Sequence, residues 1–401
     1  MFRTQLSTVA AGSVLGKTLY NERGDVLLRK GAVLTDRYLT LLRDKGFQSV
    51  HVQDADTADI EIEDIVSEHV RTNATKNIYR FLQVVENASK EYQKLPPERL
   101  GAALGTSGDL RSEARGNAYE ALYSVVESII DDVLGAATLT GLTAIKTHDN
   151  YTFCHSVDVT VTAIMLGKKL FFDRTALRQL ALGCMLHDAG KMFIDPTILN
   201  KPGRLNPEEF ELMKKHPTLG YQMLRNIQKD EFLANHVAYQ HHERQDGGGY
   251  PRGLRGTNRI HRNAAGRGHM LLIAEIAAVA DVYDALSSDR PYRPGMSPEQ
   301  IVETIRGMAG PHLNRDIVGH FLSILPVFPV GLEVKVTQGR LAGSRGVVAK
   351  VNERALDRPL VRILVDAQGR RVPAFDLDLA KEPSAAVAAT FGLGGGLARA
   401  S

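Results

Sequence analysis

Apolar positions change their period twice along this chain. Through residues 1–58 they come in short runs, as in VAAGSVLGKTLYNERGDVLLRKGAVL, separated by glycine-containing turns. That spacing predicts short strands, with Asn21 to Gly24 forming a hairpin turn. Thr35 is suited to cap a helix over DRYLTLLRDKGF, where Tyr38, Leu39, Leu41 and Leu42 share a face, and SVHVQD follows as a strand. The unit carries no chemistry, and it reads equally as a regulatory module and as a packing appendage. From residue 59 the period lengthens to that of a helix. EIEDIVSEHVRTNATKNIYRFLQVVENASKEYQK has a narrow apolar stripe on a polar helix and breaks at Leu95-Pro96-Pro97. LGAALGTSGDLRSEARG, rich in glycine and serine, predicts a loop, and AYEALYSVVESIIDDVLGA a long helix from Asn117. Residues 59–144 are therefore expected to be a helical connector. A homodimer through it and a monomeric bundle fit the pattern equally.

Residues 145–326 continue as helices. One surrounds His155, RTALRQLALGCMLHDAGK is a second, and a third is capped near Asn206 and ends near His216. Another ends at His241-His242, and LLIAEIAAVADVYDALSS carries Asp281. Alternation returns over residues 327–381, predicting a small β-barrel-like module, and the Ala/Gly-rich tail 382–401 is expected to be disordered. The predicted fold is mainly α, with an all-helical catalytic domain, a small N-terminal α/β module and the C-terminal β module.

Composition narrows the class without deciding it. The 401 residues are 43% hydrophobic and 24% charged, as in ordinary globular chains, and a formal charge of +3 gives no reason to expect nucleic acid as a partner. The arginines of the C-terminal module lack an aromatic stacking platform, which also argues against nucleic acid. Cys154 and Cys184, both in apolar helical patterns, read as buried reduced thiols. No apolar run approaches the roughly 20 residues that cross a bilayer, so no membrane insertion and a cytoplasmic location are expected.

The candidate chemistry lies between His155 and Arg293. His155, His187, Asp188, His216, His241, His242 and Asp281 offer imidazole and carboxylate, the ligands that first-row divalent metals take where no thiolate is present. Seven groups are too many for one ion but suit two ions that share a bridging carboxylate. Any one of these histidines alone, at a helix end, would more simply be a capping group; only their conjunction points to metal.

In order along the chain stand YTFCHSVDV, HDAGK, IDPTILNKPGRL, KHPTLGYQML, HHERQDGGGYP and ADVYDALSSDRPYR. Over roughly residues 145–325 this series resembles the HD-GYP family of cyclic di-GMP phosphodiesterases, within the HD metal-hydrolase superfamily. The resemblance implies that the seven residues above are metal ligands, with Asp188 bridging two ions and catalysis resting on Asp188 and Lys191. It places Lys191 at the scissile phosphate, Asp284, Arg290 and Arg293 around the substrate, and Gly249, Tyr250 and Pro251 along the pocket. Tyr151 stands where family members with a third metal carry glutamate, so two ions are implied, Fe or Mn ahead of Zn or Ni. The implied reaction opens cyclic di-GMP to pGpG, and further to GMP, with protein partners such as GGDEF-type proteins docking on the GYP loop. The chemistry is consistent with this: two cations neutralise a phosphodiester and acidify a water held between them.

Glu243 and Asp246 could orient ligands or hold the glycine loop, and are left off the ligand list. One stretch departs from the family pattern. GTNRIHRNAAGRGHM, with the insertion centred on residues 257–270, is basic and longer than the usual connection; it reads as a solvated loop in preference to a lid over the substrate. Two other functions remain to be weighed against the phosphodiesterase: a non-catalytic cyclic di-GMP sensor or docking protein, and an HD hydrolase of another nucleotide.

Overall fold

The computed structural model describes residues 1–21, 24–136, 151–201, 203–261, 268–288 and 295–390. Five short strands and one helix form the N-terminal unit: β1 (Phe2–Gln5), β2 (Val14–Leu15), β3 (Leu19–Tyr20), β4 (Val26–Leu28), α1 (Asp36–Asp44) and β5 (Ser49–Gln53). β5 lies between β1 and β2, antiparallel to both, and β3 pairs with β4 as a hairpin. Thr35 caps α1 by accepting from the Tyr38 N–H at 3.3 Å. Phe2, Leu15, Leu42 and Val50 are buried beneath.

The helical body comprises α2 (Glu68–Ser89), α3 (Pro97–Thr106), α4 (Gly108–Ala114), α5 (Asn117–Gly135), α6 (Tyr151–Lys169), α7 (Arg174–Met185), α8 (Pro196–Leu199) and α9 (Pro207–Met213). It continues with α10 (His216–Ile227), α11 (Phe232–Gln240), α12 (Leu272–Ser287), α13 (Pro298–Met308) and α14 (Arg315–Leu322). One continuous core runs from Ile65 to Leu325. From the expected connector, Ile78, Phe81, Leu122 and Ile129 are buried in the same core as Val157 and Leu180. The expected loop after residue 100 is instead α3 and α4. Leu100, Leu104, Leu110 and Ala114 are buried, and Ser107 caps α4 by accepting from the Leu110 N–H at 3.1 Å. Asn226 on α10 donates to the Leu104 and Ser107 carbonyls at 3.0 and 2.7 Å, satisfying backbone groups at the break between the two helices.

Strands β6 (Glu333–Gln338), β7 (Arg345–Lys350), β8 (Leu360–Val365), β9 (Arg371–Asp378) and β10 (Ala386–Ala389) form one antiparallel sheet in the order β10-β6-β7-β8-β9. This sheet is open, which corrects the barrel expectation. Closure is unnecessary because Val347, Leu364 and Val365 pack into the core of the N-terminal unit, while Val348, Val361 and Ile363 belong to the sheet's own core. Arg362 and Arg371 reinforce that seam by pairing with Asp59, and with Asp54 and Asp56. The expected tail is also shorter than its pattern suggested, since β10 pairs with β6 inside it; residues 391–401 lie outside the described residues. Among the described residues no helix is long and apolar enough to cross a membrane.

Candidate metal centre

Helix ends deliver most of the site. α7 stops at Met185, and the His187 Nδ1–H then donates to the Cys184 carbonyl at 2.6 Å. His216 does the same to the Met213 carbonyl of α9 at 2.7 Å, and His241 to the Ala238 carbonyl of α11 at 3.0 Å. The last carbonyls of a helix lack the regular intrahelical donors, and these imidazoles donate there, at Cys184 alongside backbone N–H groups. A carbonyl can only accept, which fixes the proton on Nδ1 and leaves each Nε2 with a lone pair for the centre. His155 sits within α6, where no such carbonyl is available. Its Nδ1 is held instead by Asp284 Oδ2 of α12, at 2.6 Å.

All four Nε2 atoms converge on one buried carboxylate. Asp188 Oδ2 is 3.4 Å from His187 Nε2 and 3.8 Å from His155 Nε2, while Oδ1 is 3.4 Å from His216 Nε2 and 3.6 Å from His241 Nε2. Its two oxygens thus face two different histidine pairs. His155, His187 and Asp188 could hold one ion, and Asp188, His216, His241 and His242 another. Asp281 Oδ1 adjoins the first group, 3.2 Å from His155 Nε2. The His242 ring packs 4.0 Å from that of His241 and 5.0 Å from that of His216.

The electrostatics suit cations. Asp188 Oδ1 is buried without a hydrogen-bond donor, an arrangement that is costly unless a positive group faces it. Burial alone would raise the Asp188 carboxyl, but Lys191 and His187 outweigh it and hold the carboxyl well below its ordinary range. Burial lowers His216 to about 4 and His242 well below the usual imidazole value, keeping both neutral as ligands must be. Burial also opposes a proton on His155, yet hydrogen bonds to Asp281 and Asp284 push it up to about 9. Two carboxylates and five histidines, four of them buried and His242 half-buried, with no sulfur, fit hard or borderline divalent ions.

Close packing joins the elements that carry the ligands. A Cβ at Gly190, two residues after Asp188, would lie 2.0 Å from the His216 carbonyl oxygen, so only glycine lets this turn meet α10. Gly249 is equally confined, since its Cβ would lie 2.5 Å from the His242 oxygen. Glu243 secures the following loop: Oε1 accepts from the Arg252 N–H at 2.7 Å and Oε2 from the Leu254 N–H at 2.8 Å. Asp246 accepts from the Gly248 N–H at 2.8 Å. Both acids hold the glycine loop.

The remaining expected site residues fall in three places. Lys191 Nζ lies 2.6 Å from Asp188 Oδ2. The Tyr250 ring stands 4.8 Å from that of His242, and Tyr250 and Pro251 line a cavity of about 370 Å³ with Lys214 and Gln222. Asp284, expected around the substrate, is buried and engaged with His155; its place one helical turn after Asp281 was the available signal. His216 starts α10 and does not end α9. Arg290 and Arg293 lie outside the described residues, as does the Tyr151 side chain. The stem of the basic insertion is tied to α14: Asn258 Oδ1 accepts from the Arg315 N–H at 2.9 Å and its Nδ2 donates to the Gly310 carbonyl at 2.9 Å. Residues 262–267 of that insertion are outside the described part.

Known proteins carry the same pattern. Residues 125–317 match the family model of the HD domain, and residues 342–391 that of a KOW domain associated with HD domain. A cyclic di-GMP phosphodiesterase of Pseudomonas aeruginosa is 34% identical over 277 residues, covering 68% of this chain and 63% of that protein. The chain belongs to the HD-GYP family. Two further relatives are a cyclic di-GMP phosphodiesterase of Thermotoga maritima and a 3'3'-cGAMP-specific phosphodiesterase of Vibrio cholerae. The first is 34% identical over 160 residues, 40% of each chain. The second is 32% identical over 177 residues, 44% of this chain and 38% of that protein. The chain spans less than two thirds of the length of each of these relatives.

Proposed function

We propose that this chain hydrolyses a phosphodiester bond of cyclic di-GMP, giving pGpG and, with a second cut, GMP. The observation that carries the proposal is the placement of Asp188, whose two oxygens face separate histidine pairs. His155, His187, Asp188 and Asp281 would hold one divalent ion, and Asp188, His216, His241 and His242 a second, with Fe or Mn ahead of Zn or Ni. Bound there, two ions supply charge neutralisation at the phosphodiester and activation of water.

The protein's own groups divide the remaining work. Nδ1 contacts to carbonyls and to Asp284 orient the imidazoles before any ligand arrives. Lys191, partly exposed beside Asp188, adds a cation that can shift to a phosphate oxygen. Arg290 and Arg293 supply bidentate donors for the same anion. Tyr250, stacked towards His242, forms an apolar wall that limits water. The exposed turn at Arg252 and Gly253 offers GGDEF-type or other partners a surface that Glu243 keeps rigid.

A second cyclic dinucleotide competes as substrate, because one relative is named for 3'3'-cGAMP. Chromatography of products from equimolar cyclic di-GMP and 3'3'-cGAMP separates the two readings. Faster consumption of cyclic di-GMP, with pGpG formed, supports the proposal. Preferential loss of cGAMP reverses the substrate assignment, and loss of neither, with metal bound, favours a non-catalytic sensor.

A further inference from the structure

The cavity of about 370 Å³ beside the metal centre is of small-molecule size and adjoins the metal-site histidines on one side. Its Tyr250 ring packs 4.8 Å from that of His242, and its Leu219 follows His216 by one turn of α10. Tyr250, Pro251 and Leu219 give it apolar walls, on which a flat heterocycle can stack.

Two polar groups stand together in its lining. Lys214 Nζ lies 2.5 Å from Glu211 Oε1. The ammonium also faces the Phe210 and Tyr250 rings, 5.3 and 6.0 Å from their centroids, which holds it beside the aromatic wall. Gln222 turns its oxygen elsewhere: Oε1 is buried without a donor among the described residues, and a Cβ at Gly101 of α3 would lie 1.9 Å from it. A cationic donor thus adjoins a carboxylate acceptor next to an aromatic face. Guanine carries the complementary edge, an O6 acceptor followed by the N1–H and N2–H₂ donors. Lys214 can donate to O6 while the Glu211 carboxylate accepts from N1–H and N2–H₂. Adenine reverses the first two positions, and would set its N6–H₂ against the ammonium and its N1 lone pair against the carboxylate.

We propose that this cavity is the subsite for one guanine of the cyclic dinucleotide, with Tyr250 stacking on the base and Lys214 and Glu211 selecting guanine over adenine. The proposal rests on the phosphodiesterase reading above, which puts the phosphate at the metals, and it names the residues that read the base. The test compares guanosine 5'-monophosphate (GMP) with adenosine 5'-monophosphate (AMP), which have no phosphodiester bond to cut, by titration calorimetry with the full chain loaded with Mn²⁺. The parent should bind GMP about tenfold more tightly than AMP. Glu211 is exposed, so Glu211→Gln should keep the parent circular dichroism. It should weaken GMP about tenfold and leave AMP no weaker, which erases the preference. Tyr250→Leu, at parent metal content, should weaken both nucleotides alike by about fivefold or more. Equal parent affinities, a preference for AMP, no measurable binding of either, or a GMP preference that survives Glu211→Gln would each overturn the subsite. Parent affinities in Tyr250→Leu would overturn the stacking. Cleavage of cyclic di-GMP by a parent chain that binds GMP and AMP equally would defeat the subsite alone. A GMP preference that Glu211→Gln erases, in a chain that cleaves no cyclic dinucleotide, would defeat the phosphodiesterase reading alone.

Discussion

His155 Nδ1 and Asp284 Oδ2 lie 2.6 Å apart, and both groups are buried. His155 is the one histidine of the converging four that lies inside a helix and not at the end of one, and Asp284 takes the part that an open carbonyl plays for the others. Asp284→Ala should therefore lower metal affinity about 10–100-fold while leaving the helical circular dichroism unchanged. Competition with a metallochromic chelator measures it. An Asp284→Ala chain with parent metal affinity but weakened substrate binding would return Asp284 to the substrate pocket.

Protonation of His155 sets a pH dependence for the metal. Its folded-state pKa of about 9 lies above the ordinary 6.5, so its ion pairs stabilise the metal-free fold fully below 6.5 and lose effect as pH rises through 9. A cation needs the deprotonated Nε2, so metal affinity should rise between pH 7 and 9, by up to about tenfold per unit. Calorimetry in buffers of different ionisation heats should register about one proton released per chain near pH 7.5. A pH-independent affinity with no proton release would contradict the arrangement.

Gly190 offers a packing test. Gly190→Ala sets a methyl against the His216 carbonyl oxygen and the Gly220 N–H, which would lie 2.0 and 2.6 Å away. Backbone must shift on one side, so we expect a loss of about 1–3 kcal/mol in urea unfolding, with reduced metal occupancy. Parent stability and occupancy together would show that the turn has room to move.

The residues of the histidine and aspartate cluster were more legible in the sequence than their surroundings. Each metal-site histidine lies in a short motif with a distinct neighbour pattern, so His187, His216 and His241 could be named before the geometry was known. For Asp284 the sequence shows that it shares a helix with Asp281 but not that it reaches His155. The stretch after residue 100 was misread because its glycines and serines suggest a loop, whereas burial of Leu104 and Leu110 and the Ser107 cap decide for helix. Alternation identified the strands of the C-terminal module but not whether their sheet closes. That depends on what covers its second face, here the N-terminal unit.

Glu243 makes the glycine loop separable from the metals. In Glu243→Gln an amide –NH₂ would face a backbone N–H of Arg252 or Leu254, leaving donors opposed at a cost of about 1–3 kcal/mol. Trypsin should then cut faster after Arg252, which is exposed, while metal content stays at the parent level. An unchanged cleavage rate would mean that other contacts hold the loop.

The most direct measurement is metal analysis of anaerobically purified chain, beside a chromatographic assay on cyclic di-GMP, with Asp188→Ala run in parallel. The account predicts about two divalent ions per parent chain, pGpG formed by the parent alone, and a marked loss of metal in Asp188→Ala. An Asp188→Ala chain that keeps both ions, or forms pGpG at the parent rate, would contradict the bridging role assigned to Asp188.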